Sequence, residues 1–80
     1  MNDPLLIKYF GNIAEIVGTH EEQLQLSFNT IEQLRNQLTE RYPKLINLEF
    51  NIAVNQKITE GTITSKTITE LALLPPFAGG

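Results

Sequence analysis

The clearest organising signal in this chain is where apolar side chains alternate with polar ones and where they recur at helical spacing. Leu5-Leu6-Ile7-Lys8-Tyr9-Phe10 is a short apolar run suited to a largely buried strand. Period-2 geometry puts Leu5, Ile7 and Tyr9 on one face and Leu6, Lys8 and Phe10 on the other, with Lys8 marking the second face as the wetter one. Phe10 is then either an exposed aromatic or a core residue at a strand end. Asn12 to Val17 predicts a short helix, packed through Ile13, Ile16 and Val17 and closed by Gly18 at the C′ position. Glu21 to Phe28 alternates most cleanly, with Leu24, Leu26 and Phe28 inward and Gln23, Gln25 and Ser27 outward.

The main helix opens at Asn29-Thr30, where Thr30 and Gln33 have the spacing of a capping box. Ile31, Leu34, Leu38 and Tyr42 form its core stripe; Glu32, Arg35, Asn36, Gln37, Glu40 and Arg41 form the solvated side; Pro43 stops it. Lys44 to Glu49 reads as a connection. Phe50, Ile52 and Val54 share one face of the next strand, Asn55-Gln56 fits a tight turn, and Lys57-Ile58-Thr59 returns as a hairpin. Glu60 to Thr69 is polar, Thr-rich and weakly patterned, with turns expected at Glu60-Gly61 and Ser65-Lys66. Glu70-Leu71-Ala72-Leu73-Leu74 is apolar enough for a central strand, Leu71 and Leu73 pointing one way, Ala72 and Leu74 the other. Pro75-Pro76 must leave the sheet, because neither can donate to a ladder.

This order predicts a two-layer α+β domain, a mixed sheet crossed on one face by one long helix. A central last strand would lie beside the first and parallel to it, as in ubiquitin-like β-grasp folds; element order alone leaves that pairing open. Residues 1–80 are expected to form a single domain, with 75–80 as an extended, flexible C-terminal tail.

Composition narrows the chemistry. Nine acidic residues against six scattered basic ones give a net charge of −3, which argues against a nucleic-acid footprint or an anionic-membrane patch. No apolar run approaches membrane-spanning length, and Met1-Asn2-Asp3-Pro4 lacks the features of a signal peptide, so a soluble, cytoplasmic protein is expected. There is no cysteine, hence no disulfide, no thiolate metal site and no thiol nucleophile. His20-Glu21-Glu22 are adjacent potential ligands without a distant partner, more often a solvated turn than a metal site; no metal is expected. No Ser/His/Asp, Cys/His or paired-carboxylate constellation is present, so catalysis by this chain alone is not expected.

From Leu71 to Gly80 there is no ionisable side chain, and the sequence ends Pro75-Pro76-Phe77-Ala78-Gly79-Gly80. Glycine fits a narrow channel and allows close backbone approach, while the prolines stiffen the base of the tail. Extended, Phe77 to Gly80 reaches about 13 Å at roughly 3.3 Å per residue. A terminal carboxylate presented this way can be activated as an acyl-adenylate and pass to a sulfur donor or an amine. The alternative is a frayed end of accidental composition.

The chain resembles the MoaD family, small sulfur-carrier subunits of molybdopterin synthase within the MoaD/ThiS group of ubiquitin-like proteins. The resemblance lies in Tyr9-Phe10-Gly11 with Ile16-Val17-Gly18-Thr19, in Ala53-Val54-Asn55-Gln56, and above all in Ala72 to Gly80. The family usually has Asp-Gly-Asp before the last strand; this chain has Thr67-Ile68-Thr69. The resemblance implies that Gly80 is adenylylated by a ubiquitin-activating-like adenylyltransferase using ATP, becomes a thiocarboxylate, and donates sulfur to cyclic pyranopterin monophosphate. It implies insertion of Pro75, Pro76, Phe77, Ala78 and Gly79 into the large synthase subunit, docking through Phe10, Ile58 and Leu74, and a heterotetramer. Carriers for thiamine or tRNA thiolation and ubiquitin-like modifiers share the Gly-Gly end and remain the alternative.

Overall fold

The computed structural model describes residues 4–63 and 68–76. The elements in order are β1 (Leu5–Tyr9), α1 (Asn12–Val17), β2 (Glu21–Leu24), α2 (Ile31–Arg41), a 3-10 turn (Pro43–Asn47), β3 (Asn51–Val54), β4 (Lys57–Ile58) and β5 (Glu70–Leu74). The sheet has the order β2-β1-β5-β3-β4. β1 and β5 are parallel, with Ile7 opposite Leu71 and Tyr9 opposite Leu73, and the β1–β2, β5–β3 and β3–β4 pairs are antiparallel. The last strand thus lies at the centre beside the first. This is the ubiquitin-like β-grasp arrangement.

Side-chain parity puts Ile7, Tyr9, Leu24, Ile52, Val54, Leu71 and Leu73 on the inner face, where they share one buried cluster with Ile31, Leu34 and Leu38 of α2 and Ile13 of α1. The main helix is 11 residues, about three turns, so it crosses the sheet without overhanging it. Its start follows the capping pattern with a one-residue shift. The Gln33 amide donates to Thr30 Oγ1 at 3.1 Å, and the Gln33 side chain accepts from the Asn29 amide, not from Thr30's own, at 2.7 Å. The Tyr42 amide donates to the Leu38 carbonyl at 2.8 Å, and Pro43 ends the helix.

Four local expectations are corrected. β2 stops at Leu24, although the alternation runs to Phe28. Leu24 pairs with Leu5, the first residue of β1, and Pro4 before it has no N–H with which to continue the ladder. Leu26 and Phe28 still pack against the core as loop residues. The connection after Pro43 forms the 3-10 turn and buries Leu45. Phe50 is buried ahead of β3 with Arg35 stacked on it: the guanidinium lies 4.5 Å from the ring centroid and Nη1 donates to the Phe50 carbonyl at 3.0 Å. Arg35 therefore does not belong to the solvated side. The 60–69 stretch, polar in composition, contributes Ile63 and Ile68 to the core edge, and its Gly61 carbonyl accepts from the Ile31 amide at 2.9 Å, a donor at the helix start with no partner inside the helix. The turn expected at Ser65-Lys66, and Thr67, lie outside the described residues.

Candidate functional site

The outer face of the sheet carries the other parity set: Leu6 and Lys8 on β1, Glu70, Ala72 and Leu74 on β5, Asn51 and Ala53 on β3, and Ile58 opposite Ala53 on β4. No helix covers this face among the described residues. A shallow depression of about 260 Å³ lies on it, lined by Lys8, Phe10, Ala53, Gln56, Glu70, Ala72 and Leu74. The small side chains of Ala53 and Ala72 make its floor by their size. Phe10 is 43% exposed and Ile58 59% exposed, two of the large apolar residues that face solvent.

Of the two readings of Phe10, the exposed one holds. Phe10 and Leu74 come together in the depression, whereas Ile58 stands at its rim on β4 and does not line it. Pro75 is half-buried and Pro76 exposed, directly beyond Leu74. Phe77, Ala78, Gly79 and Gly80 lie outside the described residues.

The polar border of the depression was not singled out from sequence. Lys8 Nζ and Glu70 Oε2 are 3.2 Å apart across the β1–β5 pair, and Gln56 Nε2 donates to Glu70 Oε1 at 3.1 Å. The Gln56 amide, then the Lys8 ammonium, hold the Glu70 carboxyl below its ordinary range. Gln56 reaches this position because Asn55 and Gln56 both adopt positive φ, 51° and 73°, as the two-residue hairpin turn requires. The Asn55 side chain also fixes the entry to β5: Oδ1 accepts from the Thr69 amide at 2.7 Å and from its hydroxyl at 2.9 Å. Thr69 thus brings both its backbone amide and its hydroxyl to this joint. The signal available in sequence was parity, since Lys8, Glu70 and Ala72 share the face of Leu74.

His20-Glu21-Glu22 takes a structural form. Glu22 Oε2 accepts from the Tyr9 hydroxyl at 2.6 Å and from the Tyr42 hydroxyl, joining β1, β2 and the end of α2. The two rings meet edge to face, 6.2 Å apart at 82°. Burial, then the Glu22 carboxylate, push the Tyr9 phenol far above its usual range, and the same causes raise Tyr42. Among the described residues no group of three or more His, Cys, Asp or Glu is placed to hold a metal ion, and no helix is long and apolar enough to cross a membrane.

A mixed sheet with a parallel central pair, one helix-covered face and one open apolar face beside Pro75-Pro76 defines a ubiquitin-like β-grasp protein. The chain belongs to the ThiS family, whose model matches residues 7–80. It is 32% identical to a molybdopterin synthase sulfur carrier subunit from Caenorhabditis briggsae and 30% identical to one from Caenorhabditis elegans, each match covering 92% of this chain and 94% of the relative. The fold is similar to that of a Pyrococcus furiosus protein assigned as molybdopterin converting factor, subunit 1 (TM-score 0.71, 20% identity, 91% of this chain and 97% of that one). It is similar also to SAMP1 from Haloferax volcanii (TM-score 0.72, 23% identity, 98% and 100%).

Proposed function

We propose that this chain is the sulfur-carrier subunit of molybdopterin synthase, acting through a Gly80 thiocarboxylate in the cytoplasm. The observation that carries the proposal is the open apolar depression of Phe10, Ala72 and Leu74 at the root of the Pro75–Gly80 segment. An exposed apolar patch of this kind fits a partner surface, and Leu74 and Phe10 are the anchors that the large synthase subunit would bury. The ionisable side chains that line the depression, Lys8 and Glu70, are paired with each other at 3.2 Å, which suits a chain whose reacting atom is its own terminal carboxyl carbon.

The steps balance as follows. The Gly80 carboxylate attacks the α-phosphorus of ATP on a ubiquitin-activating-like adenylyltransferase, and pyrophosphate leaves. A hydrosulfide equivalent attacks the acyl carbon and AMP leaves with the electron pair of the broken C–O bond, giving the thiocarboxylate. With the tail threaded into the large subunit, within a heterotetramer, the thiocarboxylate sulfur bonds to an electrophilic carbon of cyclic pyranopterin monophosphate as that carbon's leaving group departs. Water then cleaves the acyl–sulfur bond, restoring the carboxylate and leaving sulfur on the pterin. Two rounds supply a dithiolene.

The test is intact-mass analysis of protein isolated from its native cell together with deletion of Gly80. A fraction with one oxygen replaced by sulfur, and loss of molybdenum-enzyme activity on deletion, are expected. A single unmodified mass with full activity after deletion would sink the proposal. The breadth of the ThiS family supports a second reading, sulfur delivery to thiamine or to tRNA, or conjugation as a modifier; complementation of strains lacking either carrier separates these from the first.

A further inference from the structure

Two backbone features meet where the last strand ends. Gly11, just before α1, has φ 59° and ψ −137°, a conformation essentially restricted to glycine. A Cβ placed on Gly11 would lie 2.9 Å from Pro75 Cγ, inside the contact distance of non-bonded carbons. The bare Gly11 backbone therefore receives the half-buried Pro75 ring. One step earlier the Phe10 amide donates to the Leu73 carbonyl at 3.2 Å, and Leu74 pairs with Asn51 on the other side. Pro75 has no N–H to extend either ladder. Backbone hydrogen bonds hold the chain through Leu74, and the ring-on-glycine contact takes over at Pro75.

We infer that Gly11 and Pro75 form a seat that sets the direction in which the tail leaves the sheet, so that both are positioning residues for the reaction at Gly80. This rests on the carrier reading of the tail. The reacting carbon lies only five residues beyond Pro75, so the direction set at the seat is where the approach of that carbon to a partner's site begins. Misplacement of about 1 Å can cost on the order of a hundredfold in rate. Proline at 75 and 76 also fixes φ near −65° at the root, which limits the conformational freedom lost when the tail is threaded. Gly11 contributes by absence: any side chain there would lift Pro75 off the turn.

The test uses the full chain with a Gly80 thiocarboxylate, bound to the large synthase subunit, in single-turnover sulfur transfer to cyclic pyranopterin monophosphate. Wild type, Pro75→Ala, Gly11→Ala and the double variant are compared at saturating large subunit, with Kd and thermal melting measured separately. Pro75→Ala removes the ring without burdening the core, and should slow transfer at saturation on the order of tenfold with little change in Kd. The double variant should be no slower than the slower single variant, because both changes act at one contact. A structural role alone would move melting and Kd and leave the saturated rate untouched. A saturated Pro75→Ala rate within about twofold of wild type, or effects that multiply in the double variant, overturns the seat. If Gly11→Ala does not fold, the Pro75→Ala arm decides alone. Failure of the wild-type chain to transfer sulfur at all overturns the carrier reading itself, an outcome distinct from a loss confined to the variants.

Discussion

The two faces of the β-grasp sheet are made from alternate residues of the same strands, yet they end in opposite conditions. Leu73 on β5 is 0% exposed and sits between Tyr9 and Ile52 beneath α2; its neighbour Leu74 points the other way into the open depression beside Phe10. Composition does not separate them, since both are leucines of one strand. What differs is whether this chain has another layer to offer. Among the described residues one helix is long enough to cross the sheet, so the inner face is completed internally while no helix covers the outer one. The inner face holds the fold, and the outer face presents the root of the tail.

Substitutions on the two faces should therefore have opposite consequences. Leu73→Ala should cost about 3 kcal/mol of stability, the usual range for a fully buried leucine with a cavity left behind. Urea denaturation measures it; a loss below about 1 kcal/mol would mean that the inner face is not the stabilising one. Leu74→Asp should leave folding stability nearly unchanged but weaken binding to the large subunit by more than about 2 kcal/mol, as for a buried apolar anchor. A titration with unchanged Kd, or an unfolded variant, would erase the distinction between the faces.

The smallest effect sharpens the inner side. Tyr9→Phe removes one of the two hydroxyls donating to Glu22 and should cost about 1 kcal/mol, because Tyr42 still satisfies the carboxylate. It also changes the alkaline response. Burial and Glu22 raise both phenols in the folded chain, so the unfolded chain releases its phenolic protons first, near pH 10. The folded state then binds more protons than the unfolded one, and stability, full below about pH 10, falls as pH rises above it. Urea unfolding at mildly and strongly alkaline pH should show a shallower fall for Tyr9→Phe; identical slopes would place the alkaline sensitivity elsewhere.

Much of this was legible in residue patterns, for physical reasons that differ by element. The Asn55-Gln56 turn, the Thr30–Gln33 cap and the stop at Pro43 depend on neighbours within four positions, so local chemistry suffices to place them. Alternation overruns the end of β2 because it records burial, and Leu26 and Phe28 are partly buried without pairing to any strand. The 60–69 stretch shows the converse: it packs on the core without any alternation to announce it. Its contribution is a backbone carbonyl from Gly61 and two isoleucines that show no regular period. On the outer face, parity placed Phe10 and Leu74, while the Lys8–Glu70–Gln56 border needed residues from three elements to meet.

Residue order is enough to say which side chains share a face along each strand and helix, because period-2 and period-3.6 geometry act through bonds along the chain. It also carried the tail motif that ties this chain to its family. Only the tertiary structure decided that β5 lies between β1 and β3, that Glu22 joins Tyr9 to Tyr42, and that Pro75 rests on Gly11. Each of these is a contact between residues at least 13 positions apart. Contacts at that range are fixed by the packing of the whole core, and no local pattern encodes them.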